Sequence, residues 1–506
     1  MNSLQSMPKK CMAGLLALSI GWQSAWAQPS AAPSLGPASS SDLSPALERR
    51  LGDAIMVEGR RDPDYIKDPD LNQYLNAMGK RLAVYAPGGA PDIEVFGVRD
   101  PIINAFAMPG GYIGVHTGLI VMSGAEAELA GVLAHEIAHV TQRHIARGLT
   151  QQQQSGHIAL ATLAAAILAA LTPGGGQAAM GIAAFGQAAA ISQQLGFSRD
   201  AEQEADRTGF EMLRKAGYDP NGMAVMFGRL MQASSLNEGR GGGVYASTHP
   251  LSISRMTDMQ NRIRQLPVAN YQALDEFWFV RAKARVLQAV DPRVLLQAIE
   301  QLQEEARASA KAGAATSASV AKQAAAWYGL SLAALVRKDL KTAASSLEQA
   351  QSLSANSPYL DLQRIELELA RKQVAQALAA AQAAHKRWPE RRAFALKVAE
   401  CLQLQAKDKE AVAYLQEQTK RWPKIEPDFY KMLGNSFDRL NEPVAARQAM
   451  ASYYEQLGAL SAAVGQLQQA RTLSQDFYLQ SQIDVQIRTL SAKIAEDRRL
   501  LERFKS

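Results

Sequence analysis

A mainly α-helical protein with an α+β front half and a helical solenoid behind it is the fold this chain predicts, and three observations predict it. The tetrapeptide Lys386-Arg387-Trp388-Pro389 recurs as Lys420-Arg421-Trp422-Pro423. That spacing of 34 residues is the tetratricopeptide period. Short apolar runs bounded by turn signals lie between Ile93 and Val115, which is strand grammar. Helical patterns with caps flank them, and the second half is rich in alanine and glutamine but poor in aromatics.

Taken in order, helical patterns reach about residue 85. Ile93–Val98, Asn104–Ala107 and Tyr112–Val115 then read as strands, separated by Asp100-Pro101 and Pro109-Gly110-Gly111. They predict a small antiparallel sheet, with Gly111–Val115 either an exposed edge to which a peptide strand could add or an ordinary buried strand. Ser123 followed by Glu126 has capping-box spacing and opens a helix expected to run to about Arg147. A second helix begins near Ser198 and stops at Gly217, and Asp219-Pro220 starts another. Gly239–Gly243 reads as a flexible loop. Between the two main helices, Ile158–Leu171 and Ala178–Ile191 are apolar arms of 14 residues each, short for a membrane span. They read as a buried helix pair, a hairpin touching a membrane, or a cover over the site. From about residue 270 helices repeat: a unit from Trp327 to Pro358 has Ala344 and Ala350 where helices pack closely, units follow over 425–457 and 460–479, and Ser481–Ser506 has the charged amphipathic pattern of a capping helix.

The 506 residues are 47% hydrophobic and 20% charged, ordinary for a globular chain with a sizeable core. Lys9 and Lys10, the apolar run Met12–Ile20 and Ala25-Trp26-Ala27 form a cleavable secretion signal over residues 1–27. Cys11 precedes the apolar run, which argues against a lipoprotein. Residues 28–41, rich in Pro, Ser and Ala, read as a disordered leader. Without the signal the net charge falls to +4, with no dense basic patch, which excludes nucleic acid as a partner. Only Cys401 then remains, so no internal disulfide can form.

The chemistry centres on His135-Glu136-Ile137-Ala138-His139. Residues four apart share a helix face, so both imidazoles reach one metal ion, and Glu136 beside them can take a proton from the water it activates. Imidazole and carboxylate ligands with one open position suit zinc. Such a motif arises by chance in roughly 5% of chains this long, so context matters. A third histidine ten residues after the first is excluded, because Ile145 stands there. His144 points to the opposite face of a continuous helix and reads as a surface residue. Ser198–Asp206 offers Glu202 and Asp206 four apart: Glu202 as third ligand, Asp206 accepting a hydrogen bond from a liganding histidine. Glu204 points about 200° from Glu202 and reads as solvated. His116, His157 and His385 read as structural or surface residues.

HExxH followed by Ser198-Arg199-x-x-Glu202-x-x-x-Asp206, with Asn104–Gly111 and Gly118-Leu119 upstream, resembles the gluzincin family that includes HtpX and the CAAX prenyl protease. With the signal and the repeats, the chain is similar to the BepA-like periplasmic branch of that family. The resemblance implies a zincin-like protease domain over 42–268 and a tetratricopeptide domain over 269–506. It implies one zinc ion on His135, His139 and Glu202, with Glu136 as general base. Asp206 would be catalytic support, as a proton donor or, as its spacing favours, a hydrogen-bond acceptor. Asn104, Phe106, Tyr112 and Arg255 become candidate substrate-binding residues, and Arg255 could instead bind a carboxylate or brace the site. His249, in Ser247-Thr248-His249-Pro250, would be a fourth ligand or movable plug. It reads equally as an oxyanion stabiliser or a cap on the next helix. The implied function is a periplasmic endopeptidase and chaperone. Its partners would be unfolded or misassembled outer-membrane proteins and the β-barrel assembly machinery, with peripheral membrane contact. The competing expectation is a non-catalytic repeat scaffold whose zinc site is plugged.

Overall fold

The structure, a computed structural model, describes residues 43–151, 197–236, 243–267, 271, 274–311, 317–354, 356–422 and 426–502. The signal, the leader, His157, the apolar arms of 158–191 and most of the glycine loop lie outside the described residues. Among the described residues no helix is long and apolar enough to cross a membrane.

Two capped helices come first. Helix α1 (Pro45–Gly59) starts with Pro45 at its first position, and the Ser44 hydroxyl accepts the Leu47 amide. Helix α2 (Pro69–Ala83) repeats the arrangement with Asp68 as cap. Strands β1 (Glu94–Val98), β2 (Ala105–Met108) and β3 (Tyr112–His116) form a sheet of order β1-β3-β2. The expected antiparallel sheet is instead mixed: β1 pairs parallel to β3, and only β2 runs antiparallel. The β1–β3 connection passes through β2, so chain order hides the parallel pair. Strand β3 is therefore the central strand, and Gly111–Val115 is not an edge. The outer side of β1 is sealed by α2, where Asn76 exchanges two hydrogen bonds with Val95 and Asn72 accepts the Gly97 amide. Among the described residues β2 is the other edge strand of the sheet.

After the short helix α3 (Thr117–Met122) comes the central helix α4 (Glu126–Thr141). Ser123 does not cap it: its hydroxyl bonds back to the Leu119 carbonyl, while Glu128 accepts the Gly124 amide. Nor does α4 run to Arg147. The chain turns at Arg143, whose φ is +53°, and restarts as α5 (His144–Gln151). The Arg143 guanidinium anchors this corner on Glu48 and on the Leu43 carbonyl. Helix α6 (Arg199–Lys215) is capped by Ser198 and ends before Gly217, at φ +78°, as its sequence predicts. It crosses α4 with almost no gap. A Cβ on Gly209 would sit 3.1 Å from the Ala134 carbonyl and the His135 nitrogen. Helices α7 (Asn221–Leu236), α8 (Gly243–Thr248) and α9 (Ile253–Arg264) complete the front half.

The rest is paired helices: α10 (Glu276–Leu287), α11 (Pro292–Lys311), α12 (Ser317–Val336), α13 (Leu340–Leu353), α14 (Pro358–Ala370), α15 (Val374–Arg387), α16 (Arg392–Leu404), α17 (Asp408–Arg421), α18 (Asp428–Arg439), α19 (Pro443–Gln456), α20 (Leu460–Leu473) and the long α21 (Phe477–Glu502). The period shows in the backbone. Lys338, Lys372, Ala406 and Asn441 adopt left-handed φ at near-34-residue steps, and each next amide bonds back across the turn, as Asp339 does to Ala334 at 2.9 Å. The recurring tryptophans fasten helix ends: Trp388 donates to Asp361, and Trp422 packs on Phe429 between Arg392 and Arg421. One buried core runs unbroken from Ile66 through α4 and α6 to Leu367 in α14. The array also returns to the front half: Arg391 pairs with Glu276 and lies near Asp70, Lys283 pairs with Asp68 at 2.6 Å, and Arg50 of α1 meets Asp497 of α21 at 3.1 Å.

Candidate metal centre

The close α4–α6 crossing decides the site. Glu202 and Asp206 share the α6 face that carries Gly209, so both project over the imidazoles of α4. His249 joins from the segment after α8. His135, Glu136, His139, Glu202, Asp206 and His249 are all at most 4% exposed. His139 Nε2 lies 3.0 Å from His135 Nε2 and 3.4 Å from Glu202 Oε1. His249 Nδ1 lies 3.3 Å from His135 Nε2 and 3.0 Å from Glu202 Oε1. One donor atom from each of the four residues falls within 4.8 Å of all the others. The second ring nitrogens of the two α4 histidines are already engaged: His135 Nδ1 with Asp206 at 3.0 Å, and His139 Nδ1 with His144 at 2.8 Å. Each Nε2 is thus the nitrogen left to face the Glu202 carboxylate and the other imidazole, an arrangement that a bound cation would satisfy. Nitrogen and carboxylate donors in this number suit zinc.

The titration of the bare cluster has the same origin. Burial alone would lower His135, but Asp206 and Glu202 outweigh it and carry it up to about 10. Burial pushes His139 well below its ordinary value against the pull of Glu202. Burial would raise Glu202, yet the three surrounding histidines hold it well below the carboxylate range. Glu136 is raised by burial, with His249 and His135 opposing. Neither Glu136 oxygen accepts a side-chain hydrogen bond, and His249 Nε2 stands 3.4 Å from Oε1. Strand β2 passes beside it. The His116 amide bonds to the Asn104 carbonyl, so Phe106 and Gly114 form the next bonded pair. The backbone groups of Ala105 and Ala107 then point out of the sheet. The Ala107 amide is directed at Glu136.

Arg255 binds both carboxylates of α6: Asp206 at 2.6 and 2.8 Å, Glu202 at 2.7 Å. It also donates to the Pro250 carbonyl at 2.7 Å and lies over the Phe227 ring. At 5% exposed it braces the site and offers no free face to a substrate. His249 is held by its own amide on the Tyr245 carbonyl and by stacking on the Tyr245 ring. The remaining substrate-binding candidates lie on or beside strands β2 and β3. Asn104 is buried, Phe106 packs edge-on between Phe96 and His116, and Tyr112 donates to Asp53 beneath α1.

Two residues read as solvent-facing are buried. His144 is 3% and Glu204 7% exposed, and they meet at 3.3 Å, with Arg147 on Glu204 at 2.8 Å. Burial, with Arg147 adding to it, lowers His144 to about 3. The Arg143 corner explains the first error: it resets the helical phase, so His144 folds back against His139. Glu204 is covered because α5 packs on the α6 flank opposite the ligands. Nothing in the spacing signals either; only the nearness of a further histidine to the motif does. His116 and His385 are structural, His116 buried beside Asp100 and His385 packed near Tyr414.

Residues 69–263 match the family model described as peptidase family M48. A beta-barrel assembly-enhancing protease of Escherichia coli strain K12 is 33% identical, over 65% of this chain and 65% of its own. One from Yersinia pestis is 34% identical, over 50% of this chain and 51% of its own. The metalloprotease LoiP of Escherichia coli is 31% identical, over 38% of this chain and 69% of its own. The chain thus spans between half and two thirds of the two assembly-enhancing proteases.

Proposed function

Since the chain belongs to peptidase family M48, we propose that it is a zinc-dependent endopeptidase of the periplasm serving outer-membrane protein assembly and quality control. The observation that carries the activity is the convergence of His135, His139 and Glu202 beside the buried carboxylate of Glu136. His135, His139 and Glu202 hold one zinc ion, and His249 is the fourth ligand at rest. The ion supplies Lewis acidity that makes water nucleophilic near neutral pH and polarises a peptide carbonyl. An extended peptide lying beside the edge strand β2 would bring its backbone to Glu136. Glu136 takes the proton of the attacking water and delivers it to the leaving amine. Asp206 and Arg255 keep His135 and Glu202 in place. His249 occupies the position this water needs, so it must withdraw before cleavage.

The division into a protease domain over 42–268 and a tetratricopeptide domain over 269–506 belongs to the same proposal. The repeats bind protein, and unfolded or misassembled outer-membrane proteins and the assembly machinery are the partners that the relatives' name suggests. The seated His249 also favours a second reading, a scaffold whose zinc site is permanently closed. Cleavage of an unfolded β-barrel outer-membrane protein before and after removal of metal by a chelator separates the two. The proposal expects cleavage that chelation abolishes and zinc restores; cleavage unaffected by chelation contradicts it.

A further inference from the structure

The contact between His139 and His144 joins two ring nitrogens, Nδ1 to Nδ1, at 2.8 Å, and one of them must donate. On the reading above His139 is a zinc ligand through Nε2, so its proton is on Nδ1 and His144 Nδ1 accepts it. His144 can accept there only if its own proton is on Nε2, and that nitrogen faces the Glu204 carboxylate at 3.3 Å. Arg147, at 2.8 Å from the same oxygen, keeps Glu204 in position. A chain Glu204–His144–His139 therefore runs inward with every proton assigned. Its counterpart on His135 is shorter, with Asp206 accepting directly at 3.0 Å.

We propose that His144 is a positioning residue for the metal centre, which fixes the tautomer and ring orientation of His139 through Glu204. The inference rests on the zinc reading and adds a residue and a route to it. The local fold supports it. On an unbroken helix His144 would lie about 140° around from His139. The left-handed Arg143, tied to Glu48 and to the Leu43 carbonyl, folds it back and buries it. Phe197 stacks on the His139 ring at 3.9 Å between centroids, so the ring is packed on one face and hydrogen-bonded at its edge.

The test is zinc affinity, measured by chelator competition on the full-length mature protein and its His144→Phe and His144→Asn variants. The visible spectrum of the cobalt-loaded forms serves as a second readout. Loss of a hydrogen-bonding group behind a ligand weakens metal binding roughly 10–100-fold, which is the change expected for His144→Phe. Asparagine puts an acceptor oxygen where Nδ1 was, so His144→Asn stays within about threefold of the parent and keeps its cobalt spectrum. That rescue distinguishes positioning from bulk packing, which asparagine would not restore. Parent-like affinity in His144→Phe, or equal losses in both variants, overturns the inference while the zinc reading stands. No zinc on the parent overturns the zinc reading itself, and the inference with it.

Discussion

Glu136→Gln separates the chemical role of Glu136 from its structural cost. The side chain is fully buried, with the Ala107 amide directed at it and His249 Nε2 3.4 Å from one oxygen. Burial disfavours the ionised carboxylate and raises its pKa by more than His249, His135 and the Ala107 amide lower it. The amide has the same shape and no charge. Because the net shift is upward, the metal-free variant should be at least as stable as the parent in urea unfolding at pH 7.5. General-base catalysis contributes about 10²–10⁴-fold, so cleavage by the zinc-loaded variant should fall by at least the lower figure. Glu136 is not among the proposed ligands, so zinc content should be unchanged. Cleavage within about tenfold of the parent would refute the general-base role. A loss of stability above about 1 kcal/mol would refute the view that burial outweighs the partners of Glu136.

Other perturbations follow from the same geometry. Arg255→Gln leaves Glu202 and Asp206 buried together without their shared cation, so unfolding of the metal-free protein should lose about 3–5 kcal/mol; a loss below about 1 kcal/mol contradicts the bracing role. Asp70 is buried without a hydrogen-bond partner, and burial pushes its pKa up to about 6, with Lys283 opposing. A raised carboxyl favours the fold below its unfolded value, and that advantage is lost as pH rises through about 6. Asp70→Asn should therefore be more stable than the parent at pH 7.5, with the gap closing towards pH 4; a gap independent of pH contradicts the shift. A Cβ on Gly52 of α1 would lie 2.0 Å from the Pro109 carbonyl oxygen. Gly52→Ala should therefore displace α1 from the β2–β3 turn at a cost of about 1–3 kcal/mol, read as a lower urea midpoint.

Much of the site was legible in the sequence because it is written in helical periodicity. Four-residue spacing puts His135 with His139 and Glu202 with Asp206, and Ser198 marks where the second helix begins. The 34-residue recurrence announced the repeats. What stayed hidden depends on a break in phase or on pairing between distant segments. A left-handed Arg143 cannot be inferred from an arginine codon, and with it went His144 and Glu204. The central place of β3 depends on a parallel partner two strands earlier in the chain, so chain order left its edge and buried readings equally open. Arg255 was read as able to bind a carboxylate, and the packing of α9 decides that it meets two, Glu202 and Asp206.

The most direct test of the central claim is zinc content measured together with casein cleavage for the parent, Glu136→Gln and His249→Ala. Zinc in all three, cleavage lost in Glu136→Gln and raised in His249→Ala, is the result expected of a metallopeptidase restrained by its own histidine. Zinc in all three with no cleavage in any would favour the plugged scaffold, and a parent without zinc would contradict the account at its root.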